Sequence, residues 1–239
     1  MFNIILPTYN EAENIVTCLN MIREVFNKID INHKIIICDD NSPDGTSKIV
    51  KLLKRSNIVV IERPGKMGLG SAYIDSIEEC KYPYTILMDS DLQHSPFDIE
   101  RMYKYALYDK YDIVTGTRYN SDFINGELVH GEVSNWSFIR KLQSAIANNL
   151  ARYILDVKTS DLTGSFRIYK TNVLSFLAKS VYCKNFGFQV EAITRAEHLN
   201  LKIKEVPITF FDRYAGESKL GLKEIYKFLM MVVMLYFSI

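Results

Sequence analysis

Tyr84-Thr85-Ile86-Leu87-Met88-Asp89-Ser90-Asp91-Leu92-Gln93-His94-Ser95-Pro96 is the stretch that decides how the rest of the chain is read. Its apolar first half, with β-branched residues, predicts a strand buried on both faces. The run stops at two carboxylates one residue apart, and Pro96 opens a new element, read as a helix. A strand that ends this way delivers Asp89 and Asp91 to the carboxyl edge of a sheet, which in open α/β sheets is where ligands bind. Two carboxylates and the Gln93 amide oxygen suit a hard divalent cation that keeps its other positions for water and phosphate oxygens. The alternative is a turn in which the aspartates cap a helix or face solvent, because Asp-x-Asp is common by itself.

Working outward, strand and helix patterns alternate. Phe2 to Leu6 reads as a strand closed by Pro7, and Asn10 with Glu13 resembles a capping box before a helix carrying Ile15, Cys18, Leu19, Ile22 and Phe26. His33 to Cys38 is a second strand, ending in the turn-rich run Asp39-Asp40-Asn41-Ser42-Pro43-Asp44-Gly45-Thr46. Asn57 to Ile61 is a third. It leads into the glycine-rich Arg63 to Gly70, whose spacing is neither a P-loop nor a dinucleotide fingerprint. Arg63 and Lys66 read as structural or rim residues. After the Asp89 strand come a helix from about Pro96 and a strand at Asp112 to Thr115, which runs into Gly116-Thr117-Arg118-Tyr119. This alternation predicts an α/β fold with a mostly parallel central sheet flanked by helices.

Beyond Tyr119 the regularity fails. Asn120 to Val133 reads as a mobile loop, of the kind that serves as a lid, and Asn135 to Leu155 as a helix. Asp161-Leu162-Thr163-Gly164-Ser165-Phe166-Arg167 is polar and glycine-containing, with Arg167 a candidate for an acceptor phosphate. Helices are expected near 171–180 and 189–199, and Lys202 to Phe211, broken by Pro207, suits an edge strand. Arg213 to Lys219 is a basic loop before an apolar terminal helix. Lys219, Lys223 and Lys227 recur every four residues and so share one face of it.

At 239 residues, with 48% hydrophobic and 24% charged content, the chain is an ordinary globular protein able to bury a sizeable core. A net charge of +1 argues against a nucleic-acid partner bound by bulk electrostatics, so any anion site must be local. Cys18, Cys38, Cys80 and Cys183 form no Cys-x-x-Cys pair, which predicts reduced thiols in a cytosol-facing protein and no zinc. No signal peptide is expected. Phe228 to Phe237 is continuously apolar but shorter than the roughly twenty residues a span needs. It suits a core helix, an interfacial helix or the beginning of an anchor.

Several strand ends carry residues suited to a nucleotide: Pro7-Thr8-Tyr9-Asn10-Glu11 offers an aromatic face and a carboxylate, and Asp39 a hydrogen-bond acceptor for a base or ribose. Helix-start and turn chemistry account for each of them singly. Three such edges on one sheet favour a common site.

Ile5-Leu6-Pro7-Thr8-Tyr9-Asn10-Glu11, Asp39 to Thr46, Met88-Asp89-Ser90-Asp91-Leu92-Gln93-His94, Gly116 to Tyr119 and Asp212 to Leu220 occur in this order. As a set they resemble the dolichol-phosphate mannosyltransferases, inverting family-2 glycosyltransferases of GT-A fold, from Asn3 to about Gly221. Ala215-Gly216 departs from many members, which carry a bulkier residue before the glycine. The resemblance implies a GT-A catalytic domain over 1–212, and a phosphate-binding loop with an interfacial helix over 213–239. It implies GDP-mannose bound by Pro7, Tyr9, Glu11, Ile37, Asp39 and Ser90, with Mg²⁺ or Mn²⁺ held by Asp89, Asp91 and Gln93. Asp91, Arg118, Arg213 and Lys219 would carry the chemistry, Arg118 near sugar and acceptor and the other two cations on phosphates. The implied product is dolichyl phosphate β-D-mannose, for N-glycan, GPI-anchor and mannosylation pathways. It would be made on the cytosolic face of the endoplasmic reticulum membrane, with small membrane subunits among the expected partners. The alternatives are a sister transferase using UDP-glucose and a non-catalytic nucleotide- or lipid-binding subunit. No convincing general base stands outside the metal motif, His94 and His130 being weak candidates. A phosphate monoester needs none, because its second ionisation near pH 6 leaves the attacking oxygen anionic.

Overall fold

The computed structural model describes residues 1–124, 126–212 and 222–238. Arg213 and Lys219 therefore lie outside the described residues. The centre is a seven-stranded sheet built from β1 (Phe2–Thr8), β2 (His33–Asp39), β3 (Ile58–Glu62), β4 (Tyr84–Leu87), β5 (Ile113–Thr117), β9 (Arg167–Lys170) and β10 (Ile203–Pro207), in the spatial order β10-β5-β9-β4-β1-β2-β3. The pairs β2–β3, β1–β2, β1–β4 and β5–β10 are parallel, while β9 runs antiparallel to both β4 and β5. Because β9 is reversed, its first residues share one edge with the last residues of β1, β2, β4, β5 and β10.

The expected alternation holds through β5. Side chains alternate across the sheet: Ile4, Leu6, Ile35 and Ile37 enter one core with α1 (Ile15–Ile29), α2 (Thr46–Leu52) and α4 (Ile99–Leu107). Ile5, Ile36 and Leu87 enter a second core with α3 (Leu69–Ser76), α6 (Thr171–Ser180) and α7 (Gly187–His198). Each such side chain, fully buried, contributes roughly 1.5–3 kcal/mol of transfer free energy. Pro7 does not close β1, which runs on to Thr8. β4 pairs with β1 only as far as Leu87 opposite Ile5, so no ladder bond is asked of the missing N–H at Pro7. Instead the Ser90 hydroxyl donates to the Pro7 carbonyl at 3.0 Å. The capping box is also corrected. Asn10 adopts a left-handed φ of 59°, and α1 begins after Asn14, whose N–H reaches the Glu11 carbonyl.

The stretch read as a mobile loop is ordered differently. β6 (Ser121–Ile124) and β7 (Glu127–His130) form an antiparallel hairpin, and β8 (Glu132–Val133) pairs with β11 (Thr209–Phe210). The hairpin is tied to β10 by an ion pair between Asp122 and Lys204. Arg167 is corrected as well: it opens β9, is fully buried, and donates to Thr115 Oγ1 and to the Gln189 and Leu162 carbonyls. It is a core residue. The edge strand around Pro207 and the helices near 171–180 and 189–199 are found as expected.

α5 (Phe138–Leu155) and α8 (Leu222–Ser238) pack against each other on the second core. Val232 and Leu235 are fully buried there, whereas Met230, Val233, Met234, Tyr236 and Phe237 are exposed. α8 is thus core on one side and bare apolar surface on the other. Among the described residues no helix is long and apolar enough to cross a membrane.

Candidate active site

The edge where β1, β2, β4 and β5 end and β9 begins collects most of the polar residues singled out from the sequence. β4 stops at Leu87, and Met88 is still fully buried. Asp89 follows, half-exposed, and then Asp91 and Gln93, both buried. Leu92 between them has a φ of 62°, a left-handed conformation that a bulky residue adopts at a cost of roughly 1–2 kcal/mol. Its side chain packs on the first core, which holds the turn in place. The turn lets the Asp91 carboxylate accept the Gln93 N–H at 3.1 Å. Gln93 in turn gives its side-chain amide to the Phe211 carbonyl at 3.2 Å, while the Phe211 N–H donates to the Gln93 carbonyl at 2.9 Å. The metal-motif turn therefore anchors the chain just before Arg213. Glu11, Asp89, Asp91 and Gln93 engage further partners besides those named.

Among the described residues no cluster of three or more His, Cys, Asp or Glu side chains could cage a metal alone. The donor set that is present fits a cation shared with a diphosphate: two carboxylates and an amide, all oxygen donors, on one turn.

On the nucleotide side the outcome is mixed. Tyr9 is exposed at the end of β1, and Lys66 Nζ lies 3.6 Å from its ring centroid, so the rim lysine covers the aromatic face. Arg63 is structural: buried, it bonds Asp40 and Ser71. Asp39 is 1% exposed. Its carboxylate already accepts the Thr8 hydroxyl at 2.8 Å and the Ser42 hydroxyl and N–H at 2.6 and 2.9 Å. Turn formation is what it does; a carboxylate with four lone-pair sites keeps room for one more donor. The Ile37 side chain is fully buried in the core beneath the sheet. Ser90 is also buried, spending its hydroxyl on Pro7. Glu11 caps its own turn, its N–H on Thr46 Oγ1 and its carboxylate on the Asn14 amide.

Arg118, just past β5, is almost fully buried. Its Nε and Nη2 fork the two oxygens of Asp161 at 2.7 Å each, and Nη2 also reaches Thr163 Oγ1 at 2.7 Å. Burial alone would raise the Asp161 pKa, but the facing guanidinium more than offsets it and holds the carboxyl below its ordinary range. The pair carries no net charge. Arg118 therefore does less to offset phosphate charge than its sequence position suggested; it offers oriented N–H groups. Asp161 escaped notice because it lies 43 residues away in a glycine-containing loop, and no local pattern marks such a partner.

His94 is 2% exposed, sandwiched between Phe166 and Phe210, with Nδ1 at 3.6 Å from Asp89 Oδ2. Burial pushes its pKa down to about 4, so it is neutral at pH 7 and acts as packing beneath Asp89. His130 sits on the hairpin, bonded to Ser121. Trp136 is a core residue of a small cluster with Val133 and Phe210, capped by Arg140 at 3.8 Å from its ring. The four cysteines are free thiols, with Cys18 pushed up to about 12 by burial.

The glycosyl transferase family 2 pattern matches residues 3–177. The polyprenol monophosphomannose synthase of Mycolicibacterium smegmatis is 32% identical over 225 residues, 91% of this chain and 80% of the relative. The undecaprenyl-phosphate mannosyltransferase of Micrococcus luteus is 32% identical over 91% of this chain and 86% of its own length. The dolichol-phosphate mannosyltransferase of Pyrococcus furiosus is 35% identical over 95% of this chain, which spans 61% of that protein. Among solved structures, the Pyrobaculum calidifontis mannosyltransferase in complex with GDP-Man and Mn²⁺ superposes with a TM-score of 0.65 at 16% identity, over 99% of this chain and 63% of that one. Glucosyl-3-phosphoglycerate synthase from Mycobacterium tuberculosis with Mn²⁺ and UDP-glucose superposes with a TM-score of 0.68 at 16% identity, over 100% and 78%. These likenesses bear out the GT-A fold, and the sequence relatives place the chain more narrowly: it is a glycosyltransferase of family 2 and belongs to the polyprenyl-phosphate mannosyltransferases.

Proposed function

We propose that the protein transfers mannose, with inversion, from GDP-mannose to dolichyl phosphate or a like polyprenyl phosphate. The observation that carries this reading is the meeting, on one sheet edge, of the Asp89–Asp91 turn, the forked Arg118 and the chain leading into Arg213. The three mannosyltransferase relatives named above support it. Asp89, Asp91 and Gln93 would hold Mg²⁺ or Mn²⁺, which when bound would offset charge on the departing diphosphate. Tyr9 would lie against the base, with Pro7 and Glu11 beside it and Asp39 accepting one further donor. Arg213 and Lys219 would bring positive charge to the donor and acceptor phosphates, and Arg118 would orient the acceptor oxygen. No general base is required, since the acceptor is ionised already. His94, buried and neutral, is consistent with that.

A lipid acceptor requires a membrane-facing surface. Phe138, Leu142, Ile146 and Leu150 recur every four residues along α5 and are all exposed, and α8, which packs against α5, has an exposed apolar side of its own. The N-terminal turns of α5 adjoin the site: the Ser144 hydroxyl bonds Tyr119 OH at 2.8 Å. Exposed apolar rows of this kind mark a membrane or protein contact. We read them as the side laid on the bilayer, which in a eukaryotic cell would be the cytosolic face of the endoplasmic reticulum.

The test is transfer of labelled mannose from GDP-mannose to dolichyl phosphate, with UDP-glucose alongside and EDTA as a control. Arg213→Ala should lower transfer by orders of magnitude, with Arg213→Lys rescuing only partly because the bidentate fork is lost. Turnover of UDP-glucose alone would favour the sister transferase. Nucleotide binding without turnover of either donor would favour a silent subunit.

A further inference from the structure

One polar segment lies largely buried between α5 and β9. Ser160, Asp161, Leu162 and Ser165 are all at least nine-tenths buried, yet Ser160 to Ser165 belongs to neither helix nor strand. Burying that many polar groups in a loop is costly unless each is bonded. Here they are. Asn148 of α5 gives its side-chain amide to the Ser160 carbonyl and accepts the Leu162 N–H at 3.0 Å. Glu205 of β10 accepts both the N–H and the hydroxyl of Ser160, at 2.8 and 2.6 Å. The Gly164 N–H closes the turn on Asp161 Oδ1 at 3.0 Å, and a Cβ at Gly164 would lie only 3.3 Å from that carboxyl carbon. The segment is thus braced from two elements behind it.

Toward the active-site edge it makes contacts at Arg118, where Thr163 Oγ1 joins Asp161, and at Asp89. Asp161 forks Arg118, and the Ser165 hydroxyl donates to Asp89 Oδ2 at 2.7 Å. Ser165 precedes β9 by two residues, and the reversal of β9 is what brings it to the end of β4. A hydroxyl on one carboxylate oxygen fixes the rotation of that carboxylate and decides which oxygen is presented to a cation. Partners of this kind behind a metal ligand tune its affinity by about 10- to 100-fold.

We propose that residues 160–165 form a positioning brace, in which Ser165 sets the Asp89 carboxylate for the divalent cation while Asp161 sets Arg118, so that the cation and the acceptor-side arginine are held as one unit. This rests on the assignment of the cation to Asp89 and Asp91. Ser165 and Asp161 touch neither substrate nor metal in this scheme; they act through Asp89 and Arg118.

The experiment measures Mn²⁺ affinity of the full chain directly, by electron paramagnetic resonance of free Mn²⁺, with and without GDP, beside a thermal melt. Ser165→Ala should weaken Mn²⁺ binding by about 10- to 100-fold at little change in melting temperature. Ser165→Thr, which keeps the hydroxyl, should restore affinity to within a few-fold. Wild-type Mn²⁺ affinity in a folded Ser165→Ala protein would overturn the brace while leaving the metal site standing. If Ser165→Ala melts early, Ser165→Thr decides: retained Mn²⁺ affinity supports the proposal and lost affinity overturns it. Absence of Mn²⁺ binding by the wild-type chain, with GDP present, would remove the metal assignment itself and the brace with it.

Discussion

Replacing Asp161 by Asn keeps the shape of the side chain and removes its charge. Arg118 is then left buried against an amide that can accept on one side only, so at least one of the two 2.7 Å bonds is lost. Breaking one side of a buried ion pair typically costs 3–5 kcal/mol, because the remaining charge is uncompensated. In a chain of this length each kcal/mol is worth about 2–4 °C, so the melting temperature should fall by roughly 10 °C. The double variant Arg118→Met with Asp161→Leu removes both charges and fills similar volume, and should recover much of that loss. It will not recover all of it: the backbone N–H groups of Arg118 and Gly164, which donate to Asp161 at 3.2 and 3.0 Å, lose their acceptor at about 1 kcal/mol each. Urea unfolding of wild type, Arg118→Met, Asp161→Leu and the double variant completes the cycle, with the coupling energy as readout. Transfer assayed on the same proteins separates stability from chemistry, since the double variant should be folded yet slow. The Asp161 carboxyl is held below its ordinary pKa, so its stabilisation is present at neutral pH and is lost as pH falls through the folded value. The gap between wild type and Asp161→Asn should accordingly close in acid. Additive single-variant costs, or a double variant with wild-type transfer, would refute the assignment of Arg118 as a braced, working residue.

Asp98 lies 5% exposed before α4, and burial pushes its pKa up to about 6 from 3.8. The native state then binds more protons than the unfolded chain between these values, so stability falls as pH rises through that window. Asp98→Asn should therefore be more stable than wild type at pH 7, by ~2 kcal/mol at most after loss of the Arg101 contact, with no gain near pH 4. Truncating the chain at Phe228 would remove the buried Val232 and Leu235 along with the exposed face, so it cannot isolate membrane contact. Met234→Glu with Phe237→Glu can: liposome co-sedimentation should drop several-fold while turnover of a short soluble acceptor is kept, and equal loss of both would mean the face is structural.

The sequence by itself determined the α/β alternation through the fifth strand, the delivery of two aspartates to a strand end, and the edge strand at Pro207. These are local matters. Hydrophobic period and turn residues act over a few positions, and the chain cannot bury such runs in another way. The ordered motifs also carried the family. Tertiary structure alone decided which residues met. β9 is too short to show a period, and its antiparallel insertion between β4 and β5 is what brings Ser165 against Asp89 and sends Arg167 into the core. The Arg118–Asp161 fork joins positions 43 apart, and the burial of Ile37 depends on which face of β2 the helix α1 covers. The run from Ser121 to His130 looked irregular because its strands have only four residues each, so cross-strand pairing and the Asp122–Lys204 contact order it in place of periodicity. Partners distant in sequence are chosen by packing, and no pattern along the chain records that choice.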